Sequence, residues 1–384
     1  MQARRVTGCG CSRGLPGGWC ELTVEGFRAR LPTPERVTRN LGRRSMRMAN
    51  GDGHFPSYAE LRNRRDAPPG SAWGVFGADD ELGTLNHLTP ERVRAATGLV
   101  RNGEAVNLDL PLDALTPALI PTRKPVRHNM FGTNPYQRDE YLDGFYTQSS
   151  SQLDGLRHIG NPDAGFYNGA DPERFVEGEP FLGINRFADH GIVGRGVLVD
   201  VDRYLRGRGT PIDHDTGQPI PVSVVAGAAR EQKVELRAGD ILMIRIGWLT
   251  HHLYELGPRE RERNIDPLRC PGLEQSHDMV EWLWDNQFSM VAMDNFAVEA
   301  WPPPEDSPFV SDAERSGVLS RSGHTGLMHR VLIPLLGMVL GELWALDELA
   351  GRCAADGRWD CMLVAKPLNL TGGVGSPANA VAIR

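Results

Sequence analysis

The stretch Tyr141–Gly169, YLDGFYTQSSSQLDGLRHIGNPDAGFYNG, concentrates more chemistry than a purely structural segment requires. Within it, Gln148–His158 combines two amides, three hydroxyls, a carboxylate, a guanidinium and an imidazole in eleven residues. A strand that only stabilises a fold alternates apolar and polar side chains, and a surface turn has little use for aromatic residues on both flanks. Here Phe145 and Tyr146 precede the polar run and Phe166 and Tyr167 follow it, which points to a lined pocket. Asp154 and His158 are the catalytic candidates. An Asp can ligate a divalent metal or orient an imidazole, and a His with an ordinary pKa of about 6.5 can act as a general base near neutrality. The competing reading is a polar turn whose Asp and Ser side chains bond their own backbone. Composition leaves the two balanced.

The 384 residues, 40% hydrophobic and 24% charged, suffice for one large or two modest domains. With 44 Gly and 28 Pro the chain reads as a loop-rich α/β enzyme rather than a helical bundle. The net charge of −7 is unevenly spread. Residues 1–47 hold ten Arg against three Glu, so the remainder carries about −14, which argues against nucleic-acid binding. Residues 1–50 lack hydrophobic periodicity and are expected to be a disordered basic extension, of the kind an upstream start would add, with 51–384 as a single catalytic domain. Cys9, Cys11 and Cys20 make a weak metal pattern, and with Cys270, Cys353 and Cys361 they read as free thiols of a reducing compartment. No apolar run of membrane-spanning length occurs, so a cytoplasmic protein without membrane partners is expected.

Local signals place several elements. Tyr58–Arg62 starts a short helix, and Thr89-Pro90 caps a helix running to Leu99. Ala105–Leu110, Gly194–Val201, Ile241–Ile246, Phe288–Asn295 and Cys361–Ala365 read as strands, and Ser276–Asn286 as an amphipathic helix. The Pro- and Thr-rich segment before the polar run, including His128, reads as a surface loop, and Asp213-His214-Asp215 as a solvated turn. His251 and His252 are expected to pack or face solvent. Asp294 and Asn295 end a strand, where α/β folds place functional groups. Glu342, embedded in Val339-Leu340-Gly341-Glu342-Leu343-Trp344, is costly to bury without a partner.

The run Gln148–His158 resembles the signature of the putative cyclase superfamily, which includes bacterial kynurenine formamidases and isatin hydrolase. That signature is His-x-Gly-Thr-His-x-Asp-x-Pro-x-His, in which the first two His and the Asp bind metal and the last His is the base. The resemblance sets Asp154 on the ligand Asp and His158 on the base, with Gln148 and Gln152 where the signature has its two His. A neutral amide oxygen is a weaker zinc partner than an imidazole. Further similar blocks are Trp73–Gly77, Asp80–Asn86, Gly194–Val201, Ala238–Arg245 and Gly373–Pro377.

The resemblance implies an α/β fold of the swivelling β/β/α type with layered mixed sheets, assembled as a homodimer or homotetramer. It also implies that His329 and Glu342 complete a metal site with Asp154, assisted by Gln148 and Gln152. The cofactor expected is a divalent metal, Mn or Zn, with oxygen-rich ligation favouring Mn²⁺ or Mg²⁺. The implied activity is an arylformamidase-like hydrolysis of an amide or cyclic amide C–N bond in a small aromatic or ring-containing molecule. Tyr146, Arg157, Phe166, Tyr167, Trp248 and Asn295 are the expected substrate contacts. Two other readings stay open. One is metal-independent cyclase, dehydratase or isomerase chemistry by His158 and Asp154 with the serines, and the other is a non-catalytic small-molecule binder.

Overall fold

The computed structural model describes residues 19–24, 27–32, 54–265 and 267–384. The chain divides into two units, residues 1–52 and 53–384. In the first, strands β1 (Trp19–Val24) and β2 (Phe27–Pro32) pair antiparallel. The rest of the expected extension, Cys9 and Cys11 among it, and the side chain of Cys20 lie outside the described residues.

The second unit is built on a nine-stranded mixed sheet. Its centre is a parallel set: β7 (Ile192–Asp200), β9 (Ile241–Arg245), β11 (Met290–Met293) and β12 (Val339–Glu342). Parallel strands covered on both faces need continuous apolar runs, and Ile241-Leu242-Met243-Ile244 and Met290-Val291-Ala292-Met293 are completely buried. Beyond β7 the sheet continues antiparallel through β13 (Asp360–Ala365) and β15 (Ala380–Ile383) to β3 (Ala105–Asn107). Beyond β12 it continues through β6 (Gln152–Asp154) to β14 (Gly375–Pro377), again antiparallel. Helices 90–97 and 222–231 pack on β7, which gives the α/β, layered mixed-sheet architecture of the swivelling β/β/α type. Among the described residues no helix is long and apolar enough to cross a membrane.

The capping signals work as the sequence suggests. The Thr89 hydroxyl accepts from Arg92 N with Pro90 in the first turn, and Ser276 caps the helix His277–Asp285. Two expectations need correction. The segment read as a loop carries an exposed hairpin, β4 (Arg127–Asn134) and β5 (Gln137–Asp143), in which exposed His128 pairs with Glu140. Neither face of this hairpin is buried, so no alternating pattern marks it in the sequence. The turn at Asp213-His214-Asp215 is present with both Asp exposed, but His214 is buried, bonds the Ile246 carbonyl at 2.8 Å and stacks on His251. A short parallel pair, β8 (Pro219–Ile220) and β10 (Gly272–Leu273), lies outside the main sheet. Cys270, Cys353 and Cys361 are buried free thiols.

Candidate functional site

Strand β6 is three residues long, fully buried, and held on both sides by hydrogen-bonded neighbours. Its register sets Gln152 opposite Glu342 and Asp154 opposite Leu340, so alternation turns Gln152, Asp154 and Glu342 to one face of the sheet. On the other flank, β14 presents Gly375, where a Cβ would come within 2.7 Å of the Gln148 side chain. Only glycine leaves room for Gln148 to lie against the strand. The polar run near the middle of the chain and the apolar run near its end therefore converge on one buried cluster.

The cluster is tightly connected. Gln148 Nε2 donates to Asp154 Oδ1 at 2.6 Å and lies 3.2 Å from His158 Nδ1. Gln152 Nε2 donates to Glu342 Oε2 at 2.6 Å, while Glu342 Oε1 lies 3.0 Å from His329 Nε2. Asp154 Oδ2 is 3.7 Å from the same nitrogen. The other ring nitrogen, His329 Nδ1, is 2.6 Å from Glu299 Oε1. The Arg123 guanidinium donates to the Gln148 carbonyl. His158, with 21% of its side chain exposed, opens toward solvent.

The amide orientations follow from the carboxylates. An amide oxygen 2.6 Å from a carboxylate oxygen would be repelled, so nitrogen must face Asp154 and Glu342. Gln148 then has its second N–H directed at His158 Nδ1. Burial would raise the Asp154 pKa, but the charges of His158 and His329 and the Gln148 bond outweigh it and hold the carboxyl below its ordinary value. Burial likewise opposes charge on His329, yet Asp154, Glu299 and Glu342 together raise its pKa well above the ordinary value.

Asp154, His329 and Glu342 each offer one ligand atom, all within 4.8 Å of one another. Asp154 Oδ2 and Gln152 Oε1 are buried without a hydrogen-bond partner, which is where a cation's attraction is otherwise missing. One imidazole nitrogen and two carboxylate oxygens fit a divalent metal, and the oxygen-rich set suits a hard one. Gln148 and Gln152 donate N–H groups to the Asp154 and Glu342 carboxylates, and the Gln152 amide oxygen stays without a partner.

The expected substrate contacts divide. Tyr146 is exposed, and Phe166 is half-buried, edge-on to Phe175. Four others are structural instead. Arg157 is buried and donates to the carbonyls of Phe181, Gly372 and Glu179. Tyr167 is buried with its hydroxyl donating to Asp80 Oδ2 at 2.9 Å. Trp248 is buried and stacked on His252, which is itself buried. Asn295 is buried, donates to the carbonyls of Pro271 and Val298, and accepts from Leu343 N, bracing the chain just after Glu342. Asp294 clamps a turn by accepting from Ile246 N and Gly247 N. The serines are also committed: Ser149, Ser150 and Ser151 donate to the carbonyls of Tyr146, Pro111 and Leu343, which removes them from acid–base chemistry.

Sequence reasoning missed Glu299, Arg123 and His324. Exposed His324 has its pKa lowered by lost solvation and then by the charges of His329 and His158. Glu299, set between Val298 and Ala300, carries the same signal that singled out Glu342, an acid in an apolar run.

A family model described as "Putative cyclase" matches residues 106–300. Among solved structures, the chain is similar to a crystal structure described as a novel cyclase, at 32% identity and TM-score 0.69, covering 82% of this chain and 99% of that one. It is also similar to isatin hydrolase A from Labrenzia aggregata bound to benzyl benzoate, at 15% identity and TM-score 0.49, covering 75% of this chain and 94% of that one. Isatin hydrolase A from Ralstonia solanacearum follows at 19% identity and TM-score 0.46, covering 77% and 97%. No curated protein matches the chain.

Proposed function

Because this chain belongs to the cyclase family, we propose that it is a metal-dependent hydrolase of a small amide or cyclic amide. The observation that carries the reading is the convergence of Asp154, His329 and Glu342 within 4.8 Å, with His158 beside them. Asp154, His329 and Glu342 would hold the cation, which when bound supplies Lewis-acid polarisation of a carbonyl. The amides of Gln148 and Gln152 keep the two carboxylates aimed by fixing the oxygen that faces away from the centre.

His158 handles the proton. Its basic lone pair is at Nδ1, and the 3.2 Å contact to Gln148 is longer than the bonds that Gln148 and Gln152 make to the carboxylates. A water replacing that contact reaches Nδ1, gives up its proton there and adds hydroxide to the carbonyl carbon. The C–N bond then breaks, and the same proton passes to the leaving nitrogen. The substrate class rests on the likeness of Gln148–His158 to the family signature, and exposed Tyr146 with half-buried Phe166 would contact a ring.

One observation favours a metal-independent reading. His329 as a cation, bonded by Glu299 and Glu342, offsets part of the carboxylate charge from within the protein. A single experiment separates the two. Purified protein is assayed for bound Mn, Zn and Mg, and for hydrolysis of N-formyl arylamines and cyclic amides with and without chelator. Chelator-sensitive hydrolysis restored by Mn²⁺ is expected. Protein free of metal with chelator-indifferent turnover overturns the metal-dependent reading.

A further inference from the structure

We propose that Glu299 is the positioning residue that makes His329 a metal ligand, an inference that rests on the cation site just proposed. Glu299 is buried, and its carboxylate takes three donors from two consecutive residues. Met328 N reaches Oε2 at 2.6 Å, and His329 N and Nδ1 reach Oε1 at 3.0 and 2.6 Å. One carboxylate therefore fixes both the backbone that carries His329 and the rotation of its ring. Because Nδ1 must donate to Glu299, the lone pair of the neutral imidazole is left on Nε2. That nitrogen is the one facing Glu342 Oε1 at 3.0 Å and Asp154 Oδ2 at 3.7 Å. A carboxylate that only tied down the backbone would have no need of the ring.

The chain goes to some length to hold Glu299 there. Ala297 and Val298, immediately before it, have φ of 72° and 58°, a conformation L residues avoid and β-branched ones most of all. Such backbone persists only where surrounding contacts over-determine it. Those contacts are present: Leu273 N donates to the Val298 carbonyl and Ala300 N to the Leu273 carbonyl. The neighbouring Gly272 allows the approach, since a Cβ on it would lie 2.3 Å from the Glu299 carbonyl carbon. Partners of this kind around metal-binding His fix the tautomer and raise ligand basicity.

The test is Mn²⁺ affinity by calorimetry in the wild type, Glu299→Gln and Glu299→Asp, with ¹H–¹⁵N spectra of histidine-labelled, metal-free protein. Glu299→Gln is expected to weaken Mn²⁺ binding by about 10- to 100-fold. Glu299→Asp, which keeps the charge with a shorter reach, should fall between. The wild-type spectrum should contain a hydrogen-bonded Nδ1–H proton of His329 that Glu299→Gln loses. Mn²⁺ binding by Glu299→Gln within twofold of wild type overturns the proposal, as does an unprotonated His329 Nδ1 in the wild type. An unprotonated His329 Nδ1 in the wild-type spectrum overturns the proposal even if both variants fail to fold. A wild type that binds no Mn²⁺ would overturn the metal-dependent reading, and the role of Glu299 in ligation with it, whereas binding that survives the variants would overturn the role of Glu299 alone.

Discussion

Gln152 and Glu342 are cross-strand neighbours on β6 and β12, and the Gln152 amide donates to Glu342 Oε2 at 2.6 Å. With Gln148 on Asp154, this gives each of two ligand carboxylates an N–H donor in place of an imidazole beside the cation. The Gln148→His, Gln152→His double variant should therefore bind Zn²⁺ at least tenfold more tightly, about 1.4 kcal/mol, with a smaller change for Mn²⁺. Competition with a chromophoric chelator measures both. Equal Zn²⁺ affinity in parent and variant would mean that side chains at these positions do not reach the cation.

His158 meets solvent on one side and, within the cluster, lies 3.2 Å from Gln148 and 4.0 Å from Asp154. His158→Ala should lower turnover by about 10²- to 10⁴-fold. The protein should stay folded with some loss of stability, because the buried Asp154 carboxyl loses the favourable influence of His158 and one Gln148 amide hydrogen loses its partner. Kinetics and a thermal melt on the same preparation check both halves. Turnover within a few-fold of wild type would remove His158 from the chemistry.

Much of this arrangement is legible in the sequence, and the remainder is hidden for identifiable reasons. The long buried strands and the capped helices announce themselves, since Ile241–Ile244 is an unbroken apolar run and Thr89-Pro90 and Ser276 are strong helix starts. Strand β6 does not, because three residues give no period to read and its identity comes from pairing with β12 and β14. Asp154 and His158 stand out by residue type. Arg157, Tyr167 and Trp248 share that polar or aromatic character, but burial commits their polar atoms or rings to the protein itself, and buried Asn295 commits its amide hydrogens though not its side-chain oxygen. Sequence shows which groups are available, and only the fold shows which are already satisfied. Glu299 was discernible by its apolar neighbours, yet its partner lies thirty residues away.

Asp294 shows how a strand-end acid can serve the scaffold. Its two oxygens accept from Ile246 N and Gly247 N, each at 2.7 Å, and Gly247 has φ of 80°. In Asp294→Asn one of those N–H groups must face an amide nitrogen in a fully buried position. The expected loss is about 1–3 kcal/mol in urea unfolding, with turnover per folded molecule preserved. Loss of turnover without loss of stability would return Asp294 to the list of catalytic candidates.

His87 gives the protein a predictable acid sensitivity. It is buried against Phe55 and Phe76, with Nε2 lacking a partner, and burial followed by the charge of Arg92 pushes its pKa down from 6.5 to about 3. Between those values the unfolded chain takes up a proton that the folded chain refuses. The contribution to stability is therefore complete above pH 6.5 and declines as pH falls toward 3. By pH 5 the loss should be about 2 kcal/mol. His87→Leu removes the titrating group, so its stability should fall less steeply than that of the wild type between pH 7 and 5, whatever its stability at pH 7. Urea unfolding at several pH values reads this directly, and parallel slopes for the two proteins would show that His87 is not held neutral by its burial.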